Sequence, residues 1–172
     1  MKAIGKYSIA SILAWGLHVA RVIVFCAFVG LSIAAVFTPI LPFLAPAIER
    51  LPGVGHDATI DISGGAYVEI MNHFVTFGVM LFIINRLLEI LRTLRLGSPF
   101  VKENADRFRQ VGFGLLLGEA AKIAFLILGE IFDADVDLNF EMTTWIAMAA
   151  VFVLAEVFRQ GAKMKEEQDL TV

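Results

Sequence analysis

The sequence predicts an all-α membrane protein: a four-transmembrane-helix bundle with a candidate small extracytoplasmic β-element. Two observations predict the bundle. Hydrophobic residues make up 58% of the 172-residue chain, whereas soluble domains contain about 45–50%. Four apolar segments are also each long enough to span the roughly 30 Å hydrocarbon core of a bilayer. Four spans and their connections use the whole chain, so we expect a single membrane domain, 1–172, without a separate soluble catalytic domain.

The spans are placed by their apolar runs and by the residues that end them. Prolines at 39, 42 and 46 follow the first run. They end its helix because proline lacks the backbone donor and disfavours helical geometry in the preceding residue. The predicted spans are about 17–38, 70–91, 111–132 and 142–160, with outer loops 39–69 and 133–141 and an inner loop 92–110.

The distribution of Lys and Arg predicts the orientation of the spans, because cytoplasmic loops retain an excess of these residues. Arg50 is the single basic residue of the two outer loops. The predicted inner side holds eleven: Lys2, Lys6, Arg86, Arg92, Arg95, Lys102, Arg107, Arg109, Arg159, Lys163 and Lys165. We therefore expect a multi-pass protein of the cytoplasmic membrane with both termini in the cytoplasm.

Alternation of polar and apolar residues in the outer loops favours a small β-element. From Asp133 to Glu141, acidic or amide side chains alternate with apolar ones, which is the period of a strand. Residues 59–62 alternate as well, and Gly64-Gly65 fits a hairpin turn before a strand at 66–68. Irregular acidic loops are the alternative that stays open.

The inner loop contains a helix stop followed by a helix start. Gly97 is the predicted stop, Ser98 the predicted N-cap, and Pro99 the predicted first residue of the third helix. This pattern predicts that the third helix begins before the membrane and partly lies at the headgroup boundary.

Ionisable side chains within the spans are candidate functional residues, because charges at membrane depth are costly. Glu119 and Lys122 are three residues apart on the third span, and Glu130 lies farther along the same helix face. Two interpretations stay open. The residues form a self-neutralising ion pair turned into the bundle, or they form a proton-linked or ligand-sensing site.

His18 and Arg21 share a face of the first helix near its cytoplasmic end. Arg21 can extend its guanidinium to water while its stem stays in lipid, or it can pair with Glu156. A pH-sensing role for His18 is the alternative, since histidine titrates near neutrality.

The remaining motifs argue against catalysis. Gly114 and Gly118 form a Gly-x-x-x-Gly spacing that allows close helix approach, either within the bundle or in a homo-oligomer. Cys26 is the single cysteine and excludes a disulfide within the chain. We find no zinc-helix, nucleophile-elbow or phosphate-loop motif, so we expect no enzyme and no cofactor. The net charge of −3 argues against direct nucleic-acid binding.

Two segments carry a resemblance to a known family: residues 94–104, with the sequence LRLGSPFVKEN, and the tail, which contains LAEVFRQG at 154–161 and ends in EEQDLTV. Together with the four-span layout they resemble the bacterial membrane family called domain of unknown function 2975, over essentially the entire chain. The resemblance implies no catalytic residues. Members of the family are often encoded beside a small helix-turn-helix regulator of the Cro type, which implies a signalling partnership.

These observations lead to two functional hypotheses. The first is a membrane sensor or regulatory partner of a cytoplasmic helix-turn-helix regulator. Its candidate partner contacts are Gly97, Pro99, Phe100, Asn104, Asp169 and Leu170. The second is a small oligomeric transporter or immunity-type protein that uses the charges buried in span three.

Overall fold

The computed structural model describes residues 9–40, 43–44, 64–136 and 141–170. It contains four long helices: α1 (Ile9–Phe37), α2 (Gly64–Arg95), α3 (Lys102–Phe132) and α4 (Met142–Asp169). Each is long and apolar enough to cross a membrane. At about 1.5 Å per residue, all four exceed the hydrocarbon thickness of a bilayer. The prediction of four apolar helices is confirmed.

The helices pack in the order in which they occur in the chain. α1 packs on α2, α2 on α3, and α3 on α4, while other pairs of these four helices make at most marginal contact. The buried residues of α1 are Ala14 and Val24, whereas α3 buries eight residues because it has a neighbour on each side. The described part of the chain is therefore an open row of helices rather than a bundle closed around one core.

Large apolar side chains cover the outside of this row. Trp15 is 71% exposed, Ile12 is 70% exposed, and Ile146 is 65% exposed. Soluble monomers rarely expose large contiguous apolar surfaces. Lipid tails solvate such side chains, and the helices satisfy their own backbone hydrogen bonds, as a bilayer requires. The surface and the helix lengths together indicate a multi-pass membrane protein.

The predicted β-element is wrong where the structure describes it. Gly64 and Gly65 begin α2 instead of forming a hairpin turn, and residues 66–68 lie in its first turns. At the other predicted strand, α3 ends on Asp133 in the left-handed conformation (φ 54°, ψ 47°), and residues 134–136 continue without strand pairing. Residues 59–62 and 137–140 lie outside the described residues. Residues 66–68 are helical instead of extended because they continue directly into the long apolar helix α2.

Gly65 is needed for close packing between the start of α2 and the end of α3. A Cβ atom on Gly65 would lie 2.6 Å from the carbonyl oxygen of Asp133 and 2.9 Å from Cα of Ala134. Nearby, the Glu69 carboxylate accepts a hydrogen bond from the Asp135 amide at 3.1 Å. The two helix ends are thus joined by backbone contact and by a polar bond.

We expect Gly65→Ala to destabilise the protein by about 1–3 kcal/mol, because the added methyl group meets backbone that must shift. Thermal unfolding in detergent would measure the change. Gly78→Ala on the same helix is the matched control, since a Cβ there meets no atom within 4 Å. The control should be neutral or stabilising, as alanine favours helix over glycine. Equal stability of Gly65→Ala and wild type would contradict the packing role.

The turn between α2 and α3 differs in part from its prediction. The predicted stop is present: Gly97 has a positive φ of 79°, its amide donates to the Leu94 carbonyl, and the Ser98 amide donates to the Thr93 carbonyl. The predicted cap at Ser98 and helix start at Pro99 are wrong, because α3 begins at Lys102 after an extended Val101. The Ser98 amide is used to close α2, so residues 98–101 form a separate connection.

Candidate functional site at the basic end of the helices

The two ends of the row of helices differ in the charged residues that the structure describes there. We call one end, where α1 begins, α2 ends, α3 begins and α4 ends, the basic end. Among the described Lys and Arg residues, Arg21 and Lys122 lie toward the middle of their helices, and the rest lie toward the basic end. At the opposite end the described charges are all acidic: Glu69, Glu130, Asp133, Asp135 and Glu141. The basic end is therefore where a charged ligand or partner would meet a concentrated set of side chains.

Asn104 lies at the centre of a hydrogen-bonded turn at this end. Its side chain is fully buried, with 0% exposure. Its Nδ2 donates to Thr93 Oγ1 at 2.6 Å and to the Pro99 carbonyl at 2.8 Å, and its Oδ1 accepts from Arg107 Nη1 at 2.9 Å. Asn104 thus ties the end of α2, the connection and the start of α3 together. Its predicted role as a direct partner contact is wrong, because a partner cannot reach it.

Glu89 extends this network on α2. One carboxylate oxygen accepts from Arg86 Nη1 at 2.9 Å and from Arg107 Nε at 3.0 Å. Arg107 therefore bridges Glu89 and Asn104, and we call these residues, with Thr93 and Arg86, the polar cluster. Glu89 was not among the site residues predicted from the sequence. Glu89 lies three residues from Arg86, and Asn104 lies three residues from Arg107. This spacing predicts that each pair shares one face of its helix. It does not predict that the two faces contact each other.

The connection also packs on the last helix. The Phe100 ring lies 5.5 Å from the Phe158 ring, and a Cβ on Gly161 would lie 2.5 Å from Phe100 Cδ1. Phe108 of α3 packs on the same Phe158 ring at 4.9 Å. The glycine allows Phe100 to lie directly on the α4 backbone. Two segments about sixty residues apart in the sequence, the connection and the tail, are thereby held together.

We call the resulting surface the loop–tail face. It surrounds a groove of about 590 Å³ lined by Phe100, Val101, Lys102, Glu103, Arg159, Ala162, Lys163, Lys165, Glu166, Asp169 and Leu170. Of the predicted contacts, Phe100 is 43% exposed and Leu170 is 82% exposed. Gly97 and Asp169 are exposed, and Pro99 is half-buried. The face thus combines exposed apolar side chains with charges of both signs.

His18 and Arg21 lie in a second groove at the basic end, between α1 and α2, and both are exposed. The predicted pair between Arg21 and Glu156 is wrong. Glu156 instead binds Arg159 at 2.7 Å and Gln160 at 2.9 Å on its own helix. The reason is the order of packing, since α1 and α4 are not neighbours.

The charges of the third span form a pair, not a triad. Lys122 Nζ lies 2.7 Å from Glu119 Oε1, and the exposed fractions of their side chains are 38% and 8%. Glu130 is exposed and makes no ion pair with any residue that the structure describes. Glu130 is therefore not part of the pair formed by Glu119 and Lys122. The geometry of Glu119 and Lys122 is that of two groups that neutralise each other.

The Gly-x-x-x-Gly spacing of α3 faces α2 of the same chain. A Cβ on Gly114 would lie 3.3 Å from the Phe82 and Ile83 side chains, and one on Gly118 would lie 3.6 Å from Val79. The spacing thus serves packing within one chain. Homo-oligomerisation stays a prediction that this contact does not support. The described residues also contain no group of three His, Cys, Asp or Glu side chains placed to hold a metal ion.

These features define a class: a multi-pass membrane protein of four apolar helices, with a folded connection packed on a helical tail at its basic end. The family model described as Protein of unknown function (DUF2975) matches residues 66–172. The chain belongs to this family, which confirms the resemblance. The match begins near the start of α2, so α1 precedes it and the matched part is shorter than the resemblance implied. No curated protein and no solved structure matches the chain.

Proposed function

We propose that this protein is a non-enzymatic regulator in the bacterial cytoplasmic membrane that binds a cytoplasmic helix-turn-helix transcription regulator on its loop–tail face. The observation that carries the proposal is the packing of Phe100 on Gly161. It joins, in one surface, the two segments on which the family resemblance depends. A surface assembled from distant segments, held by a turn that is hydrogen-bonded to the fully buried Asn104, suits recognition of another molecule.

The Lys and Arg distribution supports the orientation that this function requires. The basic end faces the cytoplasm under the positive-inside rule. Both termini then lie in the cytoplasm, and the loop–tail face is accessible to a cytosolic protein.

The chemistry of the face suits a protein partner. Phe100 and Leu170 offer exposed apolar anchors. Around them, the groove is lined by Lys102, Lys163 and Lys165 together with Glu103, Glu166 and Asp169. Exposed apolar groups surrounded by a polar rim are typical of protein interfaces, in which a few anchors carry most of the binding energy. Charges of both signs would fix the orientation of the bound regulator.

We expect Leu170→Ala to weaken binding of the proposed helix-turn-helix regulator by about tenfold, which corresponds to about 1.4 kcal/mol. The measurement is titration of the purified regulator onto the full-length membrane protein in nanodiscs. Leu154→Ala is the matched control: it removes the same side chain from α4, and Leu154 is 41% exposed but does not line the groove. The control should bind the regulator as the wild type does.

A second variant tests the contact between Phe100 and Gly161 itself. Gly161→Val should displace Phe100 and reduce binding further, while membrane insertion and helix content stay unchanged. The proposal fails if wild-type protein neither co-purifies with the regulator nor cross-links to it in cells. It also fails if Leu170→Ala and Leu154→Ala bind the regulator equally well.

A further inference from the structure

The groove between α1 and α2 at the basic end has a charge composition that the proposed function does not use. It has a volume of about 650 Å³ and is lined by four arginines, Arg21, Arg86, Arg92 and Arg95, and by a single acid, Glu89. We call it the arginine groove. It shares no lining residue with the groove of the loop–tail face.

The single acid of the arginine groove does not neutralise it. Glu89 already binds Arg86 and also Arg107, which lies outside the groove lining. Arg21, Arg92 and Arg95 make no ion pair with the described residues. The groove therefore retains a strong positive excess after its internal pairing is complete.

An unpaired donor belongs to the same groove. Arg86 Nε is buried and has no hydrogen-bond partner among the described residues. A buried donor without an acceptor is unfavourable. Arg86 Nη1 is occupied by Glu89, and its guanidinium carbon lies 5.2 Å from the centre of the Phe82 ring. The Arg86 guanidinium is thus held in place at the wall of the groove by Glu89 and Phe82.

The groove also has an apolar side. Ala14, Phe82 and Leu88 line it beside the arginines. Val19 and Val22, which flank Arg21 on α1, are exposed on the apolar surface. The groove therefore lies where the apolar surface of the helices meets the arginines of α1 and α2.

We infer that the arginine groove binds a phosphate group, and its position at the edge of the apolar surface assigns that phosphate to the headgroup of an anionic phospholipid. Guanidinium groups bind phosphate oxygens through paired, charge-assisted hydrogen bonds. Basic pockets between transmembrane helices are a known form of headgroup site. The apolar wall would contact the beginning of the acyl chains, which a free phosphate ion lacks.

The test is native mass spectrometry of the full-length protein titrated with phosphatidylglycerol, and in parallel with phosphatidylcholine or inorganic phosphate. Arg21→Gln/Arg92→Gln removes two groove arginines that make no described ion pair, so the fold should tolerate it. Lys163→Gln/Lys165→Gln removes the same charge from the same end outside the groove. Wild type and the lysine variant should retain phosphatidylglycerol, and the arginine variant should bind it about tenfold more weakly.

Each other outcome overturns a stated part of the inference. Equal loss of phosphatidylglycerol in both variants would show general attraction to the basic end rather than a site. Equal retention of phosphatidylcholine and phosphatidylglycerol by the wild type would exclude recognition of an anionic lipid. Displacement of phosphatidylglycerol by inorganic phosphate at similar concentration would assign the site to free phosphate. None of these results depends on the regulator, so the proposed function is tested separately.

Discussion

Replacing Asn104 with alanine should destabilise the protein by about 2–4 kcal/mol. Asn104 is fully buried, and its side chain is hydrogen-bonded to three partners: the Thr93 hydroxyl, the Pro99 carbonyl and Arg107. Its removal leaves polar groups without partners in a site that water does not reach, and each such group carries a desolvation penalty. The loss would be measured as a shift of reversible unfolding in mixed micelles.

Two further variants show which bonds of Asn104 matter. Asn104→Asp keeps oxygen acceptors for Arg107 and for the Thr93 hydroxyl but loses the donor to the Pro99 carbonyl, so it should be destabilised nearly as much as alanine if the bond to Pro99 holds the turn. Asn72→Ala on α2 is the control, since Asn72 is half-buried and makes no side-chain hydrogen bond that the described structure records. If Asn104→Ala unfolds like the wild type, the hydrogen bonds of Asn104 do not stabilise the turn between α2 and α3.

Neutralising Glu119 alone should destabilise the protein by about 3 kcal/mol, and neutralising Lys122 with it should restore most of the loss. Glu119→Gln leaves the Lys122 ammonium without the carboxylate that lies 2.7 Å away, near the middle of α3. An ammonium without its partner on a membrane-spanning helix is costly, whereas replacing both members of a pair with uncharged groups is often neutral. The measurement is again unfolding in mixed micelles, on Glu119→Gln and on Glu119→Gln/Lys122→Met.

The double variant also separates a structural pair from a transport site. A structural pair predicts that the double variant is stable and keeps its regulator binding. The transport hypothesis instead predicts that the double variant loses ion flux in reconstituted vesicles. Glu130→Gln is the control for a carboxylate on the same helix, because Glu130 is exposed. If the single and double variants were equally unstable, the loss would not come from the unpaired Lys122 ammonium. The interpretation of Glu119 and Lys122 as a self-neutralising pair would then be wrong.

Much of the fold follows from local properties of the sequence. The four apolar runs predict the four helices because a bilayer requires about 20 apolar residues per span. Gly97 predicts the end of α2 because a positive φ is readily tolerated only by glycine. The spacing of Glu119 and Lys122 predicts their pairing because side chains three residues apart share a helix face. In each case the relevant partners lie within a few residues of each other.

Local pattern was insufficient where two structures fit the same residues. Gly64-Gly65 fits a hairpin turn as well as a helix start, and the choice depends on the α3 backbone that passes beside Gly65. Ser98 and Pro99 fit a helix start, but the Ser98 amide closes α2 and Asn104 binds the Pro99 carbonyl. These contacts join residues on different elements, so the sequence pattern of either segment could not predict them.

The sequence by itself determined the helical membrane class, the separation of charge between the two ends and the position of the turn at Gly97. The tertiary structure alone decided that Asn104 is buried, that Phe100 lies on Gly161 and that Arg21 lies beside the arginines of α2 instead of Glu156. The physical reason is the range of the interactions. Hydropathy and helix periodicity act along one segment, whereas the neighbour of an arginine or a buried amide depends on which helices pack together.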